Sequence, residues 1–347
     1  MSALAFELPE ALEATSPPET RGVARDEVPL LVADRRDGSI THERFARLPE
    51  ILAPGDLVVI NVSATLPAAV PGRRSGGAAV RVHFATAAPE LDERWRVVEL
   101  RSPDGSRPER GRAGETISFG DAELELVAPY ASGTRLMLAR LRGGLEVSEL
   151  LARHGEPIRY GYVAQPWPLS AYQNVYAITP GSAEMPSAGR PFTARLIAEL
   201  VARGIAMAPI TLHTGVSSPE RHEPPFPEQY EVPVATARHV NATRAGGGRV
   251  IAVGTTVVRA LETVARDDGT VDPGSGWTAL VIEPGRGVSS VNGLITGWHE
   301  PQASHLNMLA AIAGPDLLER SYQAGLQRGY LWHEFGDSHL ILAPAAA

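Results

Sequence analysis

Apolar runs separated by glycine, proline and polar turns occupy the first 60 residues and the second half of the chain. Such runs are typical of strands buried on both faces. Between them, apolar residues recur every three or four positions, as in a helix with one buried face. The predicted strands are Leu30–Ala33, Asp56–Asn61, Ile205–Leu212, Arg249–Val253, Trp277–Ile282 and His339–Leu342. The predicted helices are Phe45–Leu52, Gly143–His154, Phe192–Ala202, Thr236–Ala245, Val257–Thr263, Pro301–Ala313 and Leu317–Arg328.

The stretch Gly246–Thr263 is the centre of this pattern, because its apolar strand turns directly into a helix. At that turn lie Gly254, Thr255 and Thr256, and a threonine side chain there is expected to cap the first helical turn. Ligand polar groups often bind where a central strand leads into a helix. An ordinary strand–helix unit is the alternative.

Residues 66–145 follow a different pattern, in which polar and apolar positions alternate over short segments without helices between them. These segments are Val80–Phe84, Arg94–Leu100, Glu115–Phe119, Ala122–Val127 and Arg135–Leu141. Short strands at this spacing are typical of an antiparallel barrel or sandwich. The sequence therefore predicts an α/β protein: a mixed α/β domain, residues 1–65 and 146–347, interrupted by an antiparallel β-barrel insert at residues 66–145.

Composition narrows the function classes. The 347 residues contain no cysteine, and all 32 basic residues are arginine, which excludes thiolate sites, a P-loop lysine and a Schiff-base lysine. No run is long enough to cross a membrane, and the start lacks the pattern of a secretory signal, so we expect a cytoplasmic protein. The net charge of −8 disfavours a broad nucleic-acid surface but leaves room for a local arginine patch.

Polar and glycine-rich segments follow several of the apolar runs, where the sites of α/β folds collect. They contain more polar residues than packing requires: Asn61–Ser63, Tyr172–Thr193, Thr211–Ser218, Gly254–Arg259, Gly293–His305 and Glu334–Asp337. The motifs that mark nicotinamide dehydrogenases, serine hydrolases and zinc hydrolases (G-x-G-x-x-G, G-x-S-x-G and H-E-x-x-H) are absent.

In their order along the chain, these segments resemble the S-adenosylmethionine:tRNA ribosyltransferase-isomerases of queuosine biosynthesis. The resemblance rests on PGDL at 54–57, YQNVYA at 172–177, PSAG at 186–189, TLHTG at 211–215, YEV at 230–232, GLIT at 293–296 and FGD at 335–337. It covers nearly the whole chain.

The resemblance implies a mixed α/β domain interrupted by a β-barrel, and transfer of the ribosyl group of S-adenosylmethionine to a 7-aminomethyl-7-deazaguanine base of tRNA. Epoxyqueuosine forms, and adenine and methionine leave. The co-substrate is S-adenosylmethionine, no metal is required, and the partner is the tRNA anticodon loop. The sequence sets no oligomeric state, although we favour a monomer.

His213, His299 and Asp337 are the predicted catalytic residues. The sulfonium acidifies the C5′ hydrogens of the sugar, and an imidazole serves as a base near neutral pH with little tuning. Asp337 is expected to hold a ribose hydroxyl or the methionine ammonium. The alternatives are hydrogen-bonded structural histidines and a turn aspartate.

The predicted substrate-binding residues lie in the matching motifs. They are Asn61, Tyr172, Gln173, Tyr176, Ser187, Gly189, Thr193, Gly215, Tyr230, Glu231, Gly254, Thr255, Thr256, Arg259, Thr296 and Trp298. Aromatic rings among them are expected to face the sulfonium, with core packing as the alternative. Arg259 is expected to pair with the substrate carboxylate, with surface exposure as its alternative, and Glu231 to bind the amine, whereas Glu228 is expected to be solvated.

The motifs also depart from the family pattern. The family's Asn-Asp-Thr-Arg is Asn61–Ala64 here, its Gly-Leu-His-Phe is Gly189–Phe192, and Gln302 stands in place of a lysine. Cationic and hydrogen-bonding groups are thus lost from loops that meet the substrate. Two further hypotheses therefore stand beside the tRNA enzyme: a paralogue with a small amine or deazapurine acceptor, and a catalytically silent binding protein.

Overall fold

A computed structural model describes residues 4–130, 135–163, 165–216, 226–301 and 303–343. The strands in this part of the chain are β1 (Pro29–Asp34), β2 (Ser39–Arg44), β3 (Leu57–Asn61), β4 (Ser63–Thr65), β5 (Ala69–Arg74), β6 (Ala79–Ala87), β7 (Trp95–Arg101), β8 (Pro108–Glu109), β9 (Thr116–Phe119), β10 (Ala122–Pro129), β11 (Leu136–Arg142), β12 (Thr179–Ser182), β13 (Ala206–Leu212), β14 (Glu228–Val232), β15 (Val250–Val253), β16 (Gly274–Thr278), β17 (Gly293–Thr296) and β18 (Ser338–Leu342). The α-helices are α1 (Leu48–Ile51), α2 (Val147–His154), α3 (Ala194–Ala202), α4 (Val234–Ala245), α5 (Thr255–Thr263), α6 (His305–Ala313) and α7 (Pro315–Arg328).

The larger sheet has nine strands in the order β16-β14-β13-β3-β15-β17-β18-β1-β2. Its four central strands, β13, β3, β15 and β17, run parallel to one another, and β18 runs antiparallel to β17. Strands β3, β15, β17 and β18 are buried along their whole length. For β3, β15 and β18 the uninterrupted apolar runs predicted this burial, because both faces of such strands are covered.

Two hydrophobic clusters cover the two faces of this sheet. On one face, Val59 and Ala252 pack with residues of α4, α5, α6 and α7. On the other, Val58 and Ile251 pack with residues of α1 and α3. Successive strand residues point to opposite faces, so neighbouring residues of one strand enter different clusters.

The smaller sheet closes on itself. Its order is β11-β10-β9-β5-β6-β7, with β7 pairing back to β11, all antiparallel, and the short β8 adds to β7. The predicted antiparallel barrel is therefore confirmed. Apolar residues of α2 and Ile158 join its core, so the packing of this unit extends beyond residue 145. The domain bounds drawn from the sequence stay a prediction.

Some predicted elements differ from the structure. The predicted strand Trp277–Ile282 is wrong beyond Thr278, where β16 ends, and α6 begins at His305 rather than at Pro301. Strands β2, β4, β5, β8, β12, β14 and β17 were not predicted. Four of the six positions of β2 are exposed, and β17 consists of only four residues, so neither has the apolar run on which the prediction relied.

Candidate active site

Five of the predicted site residues lie at one edge of the larger sheet, because parallel strands end on the same side. Asn61 ends β3, His213 follows β13, Gly254 follows β15 and Thr296 ends β17. Asp337 precedes β18, whose antiparallel direction brings its start to the same edge. At about 4.8 Å per strand, the edge from β13 to β17 spans about 14 Å.

Asn61 joins the ends of β3 and β13. Its side-chain Nδ2 donates to the Leu212 carbonyl (2.8 Å), and its Oδ1 accepts from the Leu212 and Ser63 amides (3.0 and 3.1 Å). Nδ2 also lies 3.4 Å from Thr256 Oγ1, at the start of α5. The side chain is buried and its amide is hydrogen-bonded within the protein, so Asn61 supports the site by joining two strand ends and does not offer its amide to a ligand.

His213 lies against two buried serines. Its Nδ1 is 2.8 Å from Ser63 Oγ, which is 2.6 Å from Ser182 Oγ. The Thr214 amide donates to Ser182 Oγ (3.0 Å). Burial lowers the pKa of His213, so the imidazole is neutral near pH 7.

The turn between β15 and α5 is built on glycine. Gly254 is the N-cap residue and has a φ of 94°, a conformation that favours glycine. Among the described residues no side chain caps this helix, so the prediction of a threonine cap is wrong; Thr255 and Thr256 are already the first helical residues. Gly254 donates to the Ile295 carbonyl (2.8 Å), which places the turn between β15 and β17.

His299 is held between β17 and α6. Its Nε2 is 2.9 Å from Thr296 Oγ1, and its ring stacks on His305 with centroids 4.7 Å apart and planes 10° apart. Burial and, next, the neighbouring His305 lower the pKa of His299 well below its usual value. His299 is therefore a neutral imidazole as well.

Asp337 lines a small cavity at the far end of the edge. Ser187, Arg190, His333 and Glu334 also line it. Asp337 Oδ2 accepts from the Leu331 amide (2.7 Å), so the carboxylate also closes its own loop. Burial raises the pKa of Asp337 to about 6, against the opposing effects of that amide and two arginines.

Arg259 is used inside the protein. Its guanidinium forms an ion pair with Glu228 and donates to the carbonyls of Leu280 (3.1 Å) and Thr278 (3.2 Å). Its expected pairing with a substrate carboxylate is therefore not supported by the geometry. The expectation that Glu228 is solvated is wrong, since Glu228 also accepts from the Gly215 amide (2.9 Å), and burial raises its pKa.

Three further predicted residues hold loops in place. The side chain of Gln173 pairs with the Thr65 amide and carbonyl (3.0 and 2.7 Å), and Tyr172 packs on Phe335 with its hydroxyl buried. Thr193 caps α3 by accepting from the Leu196 amide (3.1 Å). Each of these side chains already has a structural task.

The predicted aromatic contacts with the sulfonium are not supported for Trp298 and Tyr176. Trp298 is 3% exposed and stacks on His339 with centroids 4.9 Å apart, inside the aromatic core. Tyr176 packs edge-on against Phe192 and lies so close to Gly189 that a Cβ there would overlap its hydroxyl. Core packing, the alternative, describes both rings.

Strand β14 separates the two residues predicted on it. Tyr230 is partly buried against the main core, whereas Glu231 is exposed on the opposite face of the strand. The structure therefore does not bring Glu231 to the other predicted residues.

Known proteins resemble this chain in both sequence and fold. A model of the family described as queuosine biosynthesis protein matches residues 1–341. The chain belongs to this family. It is 40% identical to an S-adenosylmethionine:tRNA ribosyltransferase-isomerase of Symbiobacterium thermophilum and 38% identical to one of Moorella thermoacetica, over 97% of this chain and 98% of each relative. The crystal structure of an S-adenosylmethionine tRNA ribosyltransferase from Thermotoga maritima superimposes with a TM-score of 0.55 at 29% identity, covering 98% of this chain and all of that one.

The departures from the queuosine family motifs have structural counterparts. Val62 and Ala64 are buried, so apolar packing fills the positions of the missing acid and arginine. Arg190 is also buried, forms an ion pair with Glu19 and donates to the Ala171 carbonyl. Gln302 lies outside the described residues.

Sequence reasoning missed Ser182, His305 and the burial of Glu228. Ser182 ends the short strand β12 and Glu228 begins β14. The sequence pattern carries no signal for their roles, because the Thr214 amide and Arg259, which they contact, lie more than 30 residues away. Within the described ranges, no group of three or more histidine, aspartate or glutamate side chains is placed to hold a metal ion, and no helix has the length and apolar character to span a membrane.

The first prediction concerns Arg259→Ala. We expect the free energy of unfolding in urea to fall by about 3 kcal/mol, because Glu228 is left buried without its partner. Arg266→Ala is the matched control, since its ion pair with Asp272 is exposed and screened by water, so its loss should change the stability little. If the Arg259→Ala variant instead keeps wild-type stability and binds S-adenosylmethionine more weakly, Arg259 contacts the substrate.

The second prediction concerns Asp337→Asn. Because the pKa of Asp337 is raised to about 6 in the folded chain, the folded state binds more protons than the unfolded state between pH 4 and pH 6. Its contribution to stability is therefore lost as the pH rises, by about 1 kcal/mol between pH 5 and pH 7. Urea unfolding at both pH values should show this loss in the wild type and its absence in the variant; equal pH dependence in both would contradict it.

Proposed function

We propose that this protein transfers and isomerises the ribosyl group of S-adenosylmethionine onto the 7-aminomethyl-7-deazaguanine base of tRNA, giving epoxyqueuosine and releasing adenine and methionine. The observation that carries the proposal is the gathering of the family's motifs at one edge of the parallel sheet, in a chain that matches relatives of this name over 97% of its length. A tRNA acceptor would be met in the cytoplasm, the location we propose.

The electrostatics of the edge suit a cationic co-substrate. His213 and His299 are neutral, since burial lowers the pKa of each, and a neutral imidazole neither repels a sulfonium nor needs to lose a proton before acting. We propose that these two rings supply the groups that act on the sugar. The base that removes the C5′ proton is one of them.

The remaining roles follow from position. The Gly254 turn presents the first amides of α5, which suit a carboxylate or ribose oxygen of S-adenosylmethionine. The cavity with Asp337 and Glu334 provides carboxyl groups for the methionine ammonium or a ribose hydroxyl. Arg259 no longer belongs to this proposal, because Glu228 holds it.

The third prediction is a product assay. Incubated with S-adenosylmethionine, the protein should release adenine and methionine with tRNA that carries the aminomethyl base, and not with unmodified tRNA or with the free base. Chromatography of the small molecules and of digested tRNA measures both products. Release of adenine and methionine with the free base alone would show that the acceptor is a small molecule and not tRNA. Binding of S-adenosylmethionine without release of either product would indicate a catalytically inactive binding protein.

The fourth prediction is that His213→Ala lowers turnover at least about tenfold while the melting temperature stays near that of the wild type. His239→Ala is the matched control, because His239 is exposed on α4. The adenine-release assay above measures both variants. Wild-type turnover in His213→Ala would show that His213 takes no part in the reaction.

A further inference from the structure

The hydrogen bonds around Ser182 have a direction that the backbone sets. Ser182 is fully buried, and its Oγ has two partners among the described residues, the Thr214 amide (3.0 Å) and Ser63 Oγ (2.6 Å). An amide N–H can only donate, so Ser182 Oγ accepts from Thr214. Its single hydroxyl proton is then left for Ser63.

The same argument carries one bond further. Ser63 accepts the proton of Ser182 and directs its own hydroxyl proton at Nδ1 of His213, 2.8 Å away. Nδ1 is therefore an acceptor, and in a neutral imidazole the proton then lies on Nε2. The opposite direction would leave the buried hydroxyl proton of Ser182 without an acceptor among the described residues, which is unfavourable because a buried donor then loses its hydrogen bond to water without replacement.

The ring of His213 is also fixed in place. A Cβ at Gly181 would overlap the imidazole, so the ring lies directly on this glycine. Nε2 has no protein partner within the described ranges, and it is accessible to solvent. Burial lowers the pKa of His213, in agreement with a neutral ring.

We propose that the Thr214 amide, Ser182 and Ser63 form a one-way hydrogen-bond relay that holds His213 as the Nε2–H tautomer, so that His213 presents a hydrogen-bond donor, and not a base, to the substrate. Ser63 and Ser182 are positioning residues in this relay. The part that concerns the substrate rests on the function proposed above, where it leaves His299 as the imidazole that takes the C5′ proton. The tautomer itself does not depend on that function.

Nitrogen NMR of the full chain labelled with [15N]histidine tests the tautomer directly. The His213 signals, assigned by their loss in His213→Ala, should show a protonated Nε2 and an unprotonated Nδ1 near pH 7. A protonated Nδ1 in the wild type overturns the relay. This readout does not require activity.

Ser63→Ala gives a test in which the two directions predict opposite signs. If Ser63 donates to Nδ1, it stabilises the neutral ring, and its removal raises the pKa of His213 in an NMR titration. If Ser63 accepts from Nδ1–H, it stabilises the charged ring, and its removal lowers that pKa. Ser118→Ala, an exposed serine of the barrel, is the control and should leave the titration unchanged.

Turnover separates this inference from the proposed function. We expect kcat to fall about tenfold in Ser63→Ala with little change in KM for S-adenosylmethionine. If the tautomer and the sign of the titration are as stated but the wild type forms no product, the relay stands and the proposed function fails. If the wild type is active and the titration has the opposite sign, the function stands and the relay fails.

Discussion

The buried side chain of Asn61 is the contact on which the site depends. Asn61 lies where the hydrogen-bond ladder between β3 and β13 ends. Its side-chain amide pairs with the backbone N–H and carbonyl of Leu212, and its oxygen also accepts from the Ser63 amide. A buried amide without partners costs several kcal/mol, so these bonds hold the two strand ends in one register. His213 and Ser63, which follow directly, inherit that register.

Burial then sets the chemistry of the edge. The pKa values of His213 and His299 are lowered and that of Asp337 is raised, each first of all because the group is removed from water. Desolvation favours the neutral form of acids and bases alike. The edge thus holds two neutral imidazoles and a carboxyl group with a pKa of about 6.

Arginine has a largely structural task in this interior. Arg259 joins α5 to the end of β16 and the following Leu280 through two carbonyls, and to the start of β14 through Glu228. Arg249 joins β15 to β3 through a bidentate contact with Asp56. A planar guanidinium can serve several acceptors at once, which a lysine ammonium does less well. A chain whose basic residues are all arginine can therefore bury cations that tie its strands together.

The sequence by itself determined the α/β class, the barrel insert and the order of the strand-end segments, because continuous and alternating apolar runs respond to local burial. Motif order was sufficient to recognise the queuosine family. Only the tertiary structure decided which polar groups are free. Arg259 pairs with Glu228, the Thr193 hydroxyl donates to Asp26 (3.0 Å), and Trp298 stacks on His339, and each of these partners is near only after folding. Hydrogen-bond partners and burial depend on residues far apart in sequence. A motif can therefore predict that a residue lies at the site, but it does not show whether the polar groups of that residue are already bonded within the protein.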